Sequence, residues 1–128
     1  MEQRPFIIDC DTGTDDAIAI IAAFGCKEIN VRAITSVNGN VCEAYTSTNN
    51  RNMVEYLGLQ TEVAHGARIP FFPRGSYYDT THGTTGLGDV VLPEAKNVEF
   101  SKMTAPELIR RIAEEENGKL ELLVVGPM

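Results

Sequence analysis

The sequence lacks any apolar run long enough to cross a membrane. Its longest, "AIAIIAAF" at residues 17–24, falls far short of the ~20 residues needed. The start "MEQRPF" also lacks the apolar core of a signal peptide. A soluble, cytoplasmic protein with no membrane partner is the expectation. Cysteine is scarce: Cys10, Cys26 and Cys42 are odd in number, stand sixteen apart, and match neither a disulfide framework nor a C-x-x-C metal or redox motif. They are expected as buried thiols in a reducing compartment. Basic clusters are absent too, and eleven Lys and Arg against eighteen Asp and Glu leave a net charge of −7. That disfavours nucleic acid as a partner and favours small neutral molecules or cations.

What is present suits one domain at most: 128 residues, 43% of them hydrophobic, with no low-complexity tract. "PFIIDC", residues 5–10, reads as a short buried strand. Residues 15–25, "DDAIAIIAAFG", read as a helix with two acids in its first turn and apolar residues nearly all round, hence buried. A β-branched run over residues 29–37 predicts a second strand, followed by "NGN" and a polar helix from about residue 42 to Leu57 with Tyr45, Asn49, Met53 and Tyr56 at helical spacing. Residues 61–67 predict a third strand, and residues 68–93 a long loop of prolines, glycines and aromatics without periodicity. Thr104 and Glu107 form a capping box, Leu108, Ile109, Ile112 and Ala113 supply one apolar face, and Asn117 and Gly118 end that helix. "LELLVVGPM" predicts a last strand. Strands alternating with helices indicate an α/β fold with an open, mostly parallel sheet and flanking helices, whose ligands gather at the carboxyl ends of the strands.

One such end carries "FIIDCDTGTDD", with Asp9, Asp11, Asp15 and Asp16 crowded together. Like charges this close raise one another's pKa, so the group holds either a proton or a cation. A hard divalent ion such as Ca²⁺ or Mg²⁺ suits all-oxygen ligands, whereas Zn²⁺ favours His and Cys. A plainer account covers part of the group: Asp15 and Asp16 complement a positive helix N-terminus, and Asp9 and Asp11 mark a solvated strand end.

The motifs resemble a family. "DCDTGTDDA" is similar to the D-x-D-x-G-x-D-D-A signature that opens nucleoside hydrolases of the inosine–uridine-preferring type. "NGN" at residues 38–40, "HGTTGLG" at 82–88 and "VVGPM" at the end are similar to the family's later segments, in its order. The resemblance implies a Rossmann-like nucleoside hydrolase fold of which residues 1–128 form the N-terminal portion, so that the fold is incomplete and the chain alone inactive. It implies hydrolysis of the N-glycosidic bond of a ribonucleoside by a water that Asp11 activates. It further implies a Ca²⁺ cofactor held by Asp11, Asp16 and the Val125 carbonyl, and ribose contacts from Asp15 and Asn40. Asp9 becomes a supporting acid, His82 lies beside the base, and the intact-length protein forms a homo-oligomer. Glycines 13, 39, 83, 86 and 88 would allow close backbone approach or positive φ. Thr12 stands where the family often has proline, which should loosen a turn without removing a ligand. Tyr77 and Tyr78 are candidates for stacking on the base. A non-catalytic metal or nucleoside-binding module is an alternative. A haloacid-dehalogenase-like phosphatase is another, since its nucleophile loop is also an apolar strand followed by D-x-D.

Overall fold

The computed structural model describes residues 2–71 and 80–127. In chain order its elements are β1 (Arg4–Cys10), α1 (Thr14–Gly25), β2 (Ile29–Ser36), α2 (Glu43–Tyr56), β3 (Glu62–Ala64), α3 (Ala105–Glu115) and β4 (Glu121–Val124). The four strands form one sheet in the order β3-β2-β1-β4, with every pairing parallel. The chain steps from β1 outward to β2 and β3, then returns to the opposite side of β1. The ends of β1 and β4 therefore meet at a topological switch point, where α/β sheets open a crevice for ligands.

Side-chain alternation along the strands divides the core between the two faces. On one face Ile8, Cys10, Val31 and Ile34 pack with Ile20 of α1 and with Met53 and Val54 of α2. On the other, Ile7, Ala33 and Ala64 meet Leu108 and Ile112 of α3. Val31 and Ile34 share a face despite their odd spacing because the β1–β2 register slips between Phe6 and Ile7, leaving Arg32 as an extra residue. Burying each large aliphatic side chain of this kind stabilises by ~1.5–3 kcal/mol. α3 begins with the expected capping box of Thr104 and Glu107, and Asn117 and Gly118 beyond it take positive φ, 50° and 84°.

Four expectations change. α1 is not buried all round: Ile18 and Ile21 are 68% and 51% exposed, and only Asp16 and Ile20 are fully buried, because the helix meets the sheet along one stripe. The third strand shrinks to Glu62–Ala64, since His65 and Gly66 leave the sheet to pack near Ser36 and Glu43. The last strand is shorter than "LELLVVGPM", covering Glu121–Val124, and as the open edge beside β1 it leaves Leu122, Leu123 and Val124 partly exposed. Of the thiols only Cys10 is fully buried. Among the described residues no helix is long and apolar enough to cross a membrane. Tyr77 and Tyr78 lie outside the described residues.

Candidate active site

Asp11 follows the last residue of β1 and is 8% exposed. The β2–α2 connection supplies its partner: the Asn40 backbone amide donates to Asp11 Oδ2 at 2.8 Å, and Asn40 Nδ2 reaches the Asp11 carbonyl at 3.3 Å. Gly39 makes this approach possible, because a Cβ there would overlap the Asp11 carboxylate. The strand end, the Asn40 amide and the bare Gly39 backbone thus fix the carboxylate from three sides.

Asp16 lies in the first turn of α1, within hydrogen-bonding reach of Asp11, and is 5% exposed. Burial, then the charges of Asp11 and Asp15, push its carboxyl up to about 7; a hydrogen bond with Asp11 acts in the same direction. Its Oδ2 has no hydrogen-bond partner although it is buried. Asp9 accepts from Thr35 Oγ1 at 2.6 Å, and burial raises its pKa, with the Asp11 charge adding to the effect. Across the switch point the Val125 and Gly126 amides both approach the Asp9 carbonyl, at 2.9 and 3.3 Å. A Cβ on Gly126 would lie 3.2 Å from the Asp11 nitrogen. The end of β4 is therefore pressed against the carboxylate-bearing turn.

Asp15 differs from its neighbour, with a side chain 72% exposed. It faces His82 Nε2 at 3.7 Å. The other ring nitrogen, Nδ1, accepts from the Thr14 amide at 3.3 Å and lies 2.8 Å from Thr14 Oγ1. An amide can only donate, which puts the ring proton on Nε2 and aims it toward Asp15. Gly13 leaves room for this ring, since a Cβ there would come within 2.9 Å of His82 Cγ and of Asn40 Nδ2.

The structure thus brings Asp9, Asp11, Asp15, Asp16, Asn40, His82 and Val125 to one edge of the sheet. It also adds residues that sequence reasoning missed. Thr12 is fully buried, its hydroxyl bonded to Asn50 Oδ1 and 3.1 Å from Cys10 Sγ. Its side chain therefore anchors the turn that it was expected to loosen, through a hydrogen bond that proline cannot make. Asn49 bridges the Thr12 and Thr85 carbonyls at 3.4 and 2.7 Å, tying the turn to the 82–88 loop. The available signal was the polar stripe Thr46, Asn49 and Asn50 at helical spacing on α2, next to the core residue Met53. Cys10, its thiol pushed up to about 12 by burial, is inert.

A hard cation can be tested against these donors. Asp11 and Asp16 offer two adjacent buried carboxylates, one with an orphaned oxygen, which is the chemistry Ca²⁺ takes. No three His, Cys, Asp or Glu side chains among the described residues form a metal cluster. The carboxylates fit such an ion as part of a shell of about six to eight oxygens.

A pyrimidine-specific ribonucleoside hydrolase, RihA, of Photobacterium profundum is 37% identical over 126 residues, covering 98% of this chain and 40% of that protein. Uridine nucleosidase 1 of Arabidopsis thaliana is 36% identical over 131 residues, covering 99% and 38%. The solved structure of a purine-preferring ribonucleoside hydrolase from Gardnerella vaginalis superposes with a TM-score of 0.88 at 26% identity, over 96% of this chain and 40% of that one. The chain spans about 40% of the length of the curated relatives it matches. The model of the inosine-uridine preferring nucleoside hydrolases matches residues 6–128, and the chain belongs to that family.

Proposed function

We propose that this chain supplies the water-activating and ribose-holding part of a site that hydrolyses the N-glycosidic bond of ribonucleosides. The observation that carries the reading is the meeting of two buried carboxylates, Asp11 and Asp16, with the Asn40 amide at the β1–β4 switch point. Asp11 is the base: it takes a proton from the water that attacks C1′ of the ribose, while the bond from C1′ to the base nitrogen breaks on the opposite face. The Asn40 amide holds Asp11 Oδ2 in one orientation, so the proton acceptor is in place before substrate arrives. Asp15, the exposed acid, and Asn40 bind ribose hydroxyls, and His82 stands beside the departing base. Asp11, Asp16 and the Val125 carbonyl would hold Ca²⁺, which supplies a water of lowered pKa when bound. Free thiols at Cys10, Cys26 and Cys42 agree with a cytoplasmic setting.

The relatives named above include pyrimidine-specific and purine-preferring hydrolases, so the base preference of this chain is left to residues other than the acids. The reading includes little or no turnover by the 128 residues alone, because help to the leaving base is typically worth ~10²–10⁴ in rate and has no assigned donor in this set. The test is base release from inosine and uridine, with Ca²⁺ or chelator, by a hybrid in which this chain replaces the matching segment of a RihA relative. Asp11→Asn in the hybrid is expected to cost at least ~10²-fold. An unchanged rate in that variant, or in chelator, would overturn the reading.

A further inference from the structure

Glu43 opens α2 and is 2% exposed, yet the chemistry above gives it nothing to do. Withdrawing a carboxylate from water is costly unless partners replace the solvent. Two partners converge on a single oxygen: Ser36 Oγ lies 2.8 Å and His65 Nδ1 2.9 Å from Glu43 Oε1. A carboxylate oxygen only accepts, so Nδ1 carries a proton toward it. Ser36 also lies 3.3 Å from the Ala64 carbonyl, but the shorter, charged acceptor is the stronger one. His65 is held in turn: its carbonyl accepts from the Ala105 amide at 2.8 Å, and its ring packs on Phe100 with centroids 3.9 Å apart.

These contacts join three places that the chain visits separately: the last residue of β2, the first of α2, and the residue after β3. Between Ser36 and Glu43 runs the segment that carries Gly39 and Asn40. Its near end is fastened by Val37 N to the Cys10 carbonyl at 3.0 Å and by Asn38 N to the Ala67 carbonyl at 2.9 Å. Thr46 Oγ1 adds a bond to the Val37 carbonyl at 2.9 Å. The far end depends on where α2 starts, which is where Glu43 is tied down.

We propose that Glu43 is a positioning residue: by fastening β2, α2 and His65 to one carboxylate oxygen, it sets where the 37–42 segment presents the Asn40 amide to Asp11. Its catalytic meaning rests on the function proposed above, but the tie itself is read without turnover. In the ¹⁵N-labelled chain, the Asn40 amide shift and hydrogen-exchange rate report its bond to Asp11, and the Ile34 and Ile112 amides report global opening. Glu43→Ala should move the Asn40 resonance upfield and speed its exchange at least ~10-fold, with Ile34 and Ile112 little changed. Glu43→Gln keeps an oxygen that can accept from both partners and should restore the Asn40 signal. Ser36→Ala removes one tie and should give a smaller change of the same sign.

An unmoved Asn40 amide in Glu43→Ala would overturn the proposal, as would a Gln variant that behaves like Ala. Equal acceleration of Asn40, Ile34 and Ile112 would show that Glu43 only supports the fold, and would also overturn it. Should Glu43→Ala not fold, Ser36→Ala decides by the same criteria. An Asp11→Asn hybrid that still hydrolysed nucleosides would remove the catalytic reading and leave the tie standing, so the two failures are distinguishable.

Discussion

α1 and α2 invert the usual relation between composition and burial. α1, "TDDAIAIIAAFG", is mostly apolar, yet it fully buries only Asp16 and Ile20 and turns Ile18 and Ile21 to the surface. α2, "EAYTSTNNRNMVEY", is mostly polar, yet it buries Glu43, Thr46, Ser47, Asn49 and Asn50 beside Met53 and Val54. The buried polar groups are partnered: Asn50 with Thr12, Asn49 with two carbonyls, Glu43 with Ser36 and His65, and Ser47 with the Glu43 carbonyl at 2.8 Å. α2 is thus a hydrogen-bonding wall behind the carboxylate turn, whereas α1 contributes its N-terminus to the site and one stripe to the core. Here the hydrogen-bond partners within reach, more than hydropathy, decide which side chains of α2 go inside.

Substitutions can break or sharpen this contrast. The largest loss is expected from Ile20→Ala, which opens a cavity where α1 meets the sheet and should cost ~2–5 kcal/mol in urea unfolding; under 1 kcal/mol would mean that α1 is barely docked. Asn50→Ala takes the amide oxygen from the buried Thr12 hydroxyl, leaving it only the weaker Cys10 thiol, and should cost ~1–3 kcal/mol. If it is neutral, the polar wall is decoration. Asp16→Asn works in the opposite direction. In chelator-treated protein at pH 8, above the value of about 7 to which burial and the neighbouring acids push Asp16, it removes a buried charge that the Gly13 backbone compensates only in part and should raise stability by ~1–2 kcal/mol. A loss there would show that the ionised carboxylate is compensated without a cation. The smallest effect is expected from Ile18→Ser, which should change stability by less than ~0.5 kcal/mol, despite lying two positions from Ile20. A larger loss would place Ile18 against something in solution that this structure does not contain.

Sequence reasoning reached the α/β class, the order of the elements, the α3 capping box and the acids of the turn, because each is written in local chemistry: periodicity, cap residues and charge spacing. It missed what depends on residues far apart in the chain. That Thr12 meets Asn50, that Ser36 and His65 share Glu43, and that Thr14 holds His82 are products of strand order, which no local pattern records. The exposure of α1 escaped for a related reason: an apolar helix predicts that it will be covered, without saying by what. The polar face of α2 has helical spacing, but a hydrophobic pattern cannot flag burial achieved through hydrogen bonds.

The place of β1 between β2 and β4 carries a kinetic consequence. β1 and β2 are near neighbours in sequence and can pair early, but Phe6 pairs with Glu121 and Asp9 with Val124, from opposite ends of the chain. Closing so large a loop is entropically slow compared with forming the local units. The acids of the turn are thus among the first residues made, while the strand beside them docks among the last. During refolding, exchange protection of the Val125 amide, which bonds the Asp9 carbonyl, should lag behind the appearance of helical signal, and the interval between the two measures how long the sheet waits for its fourth strand.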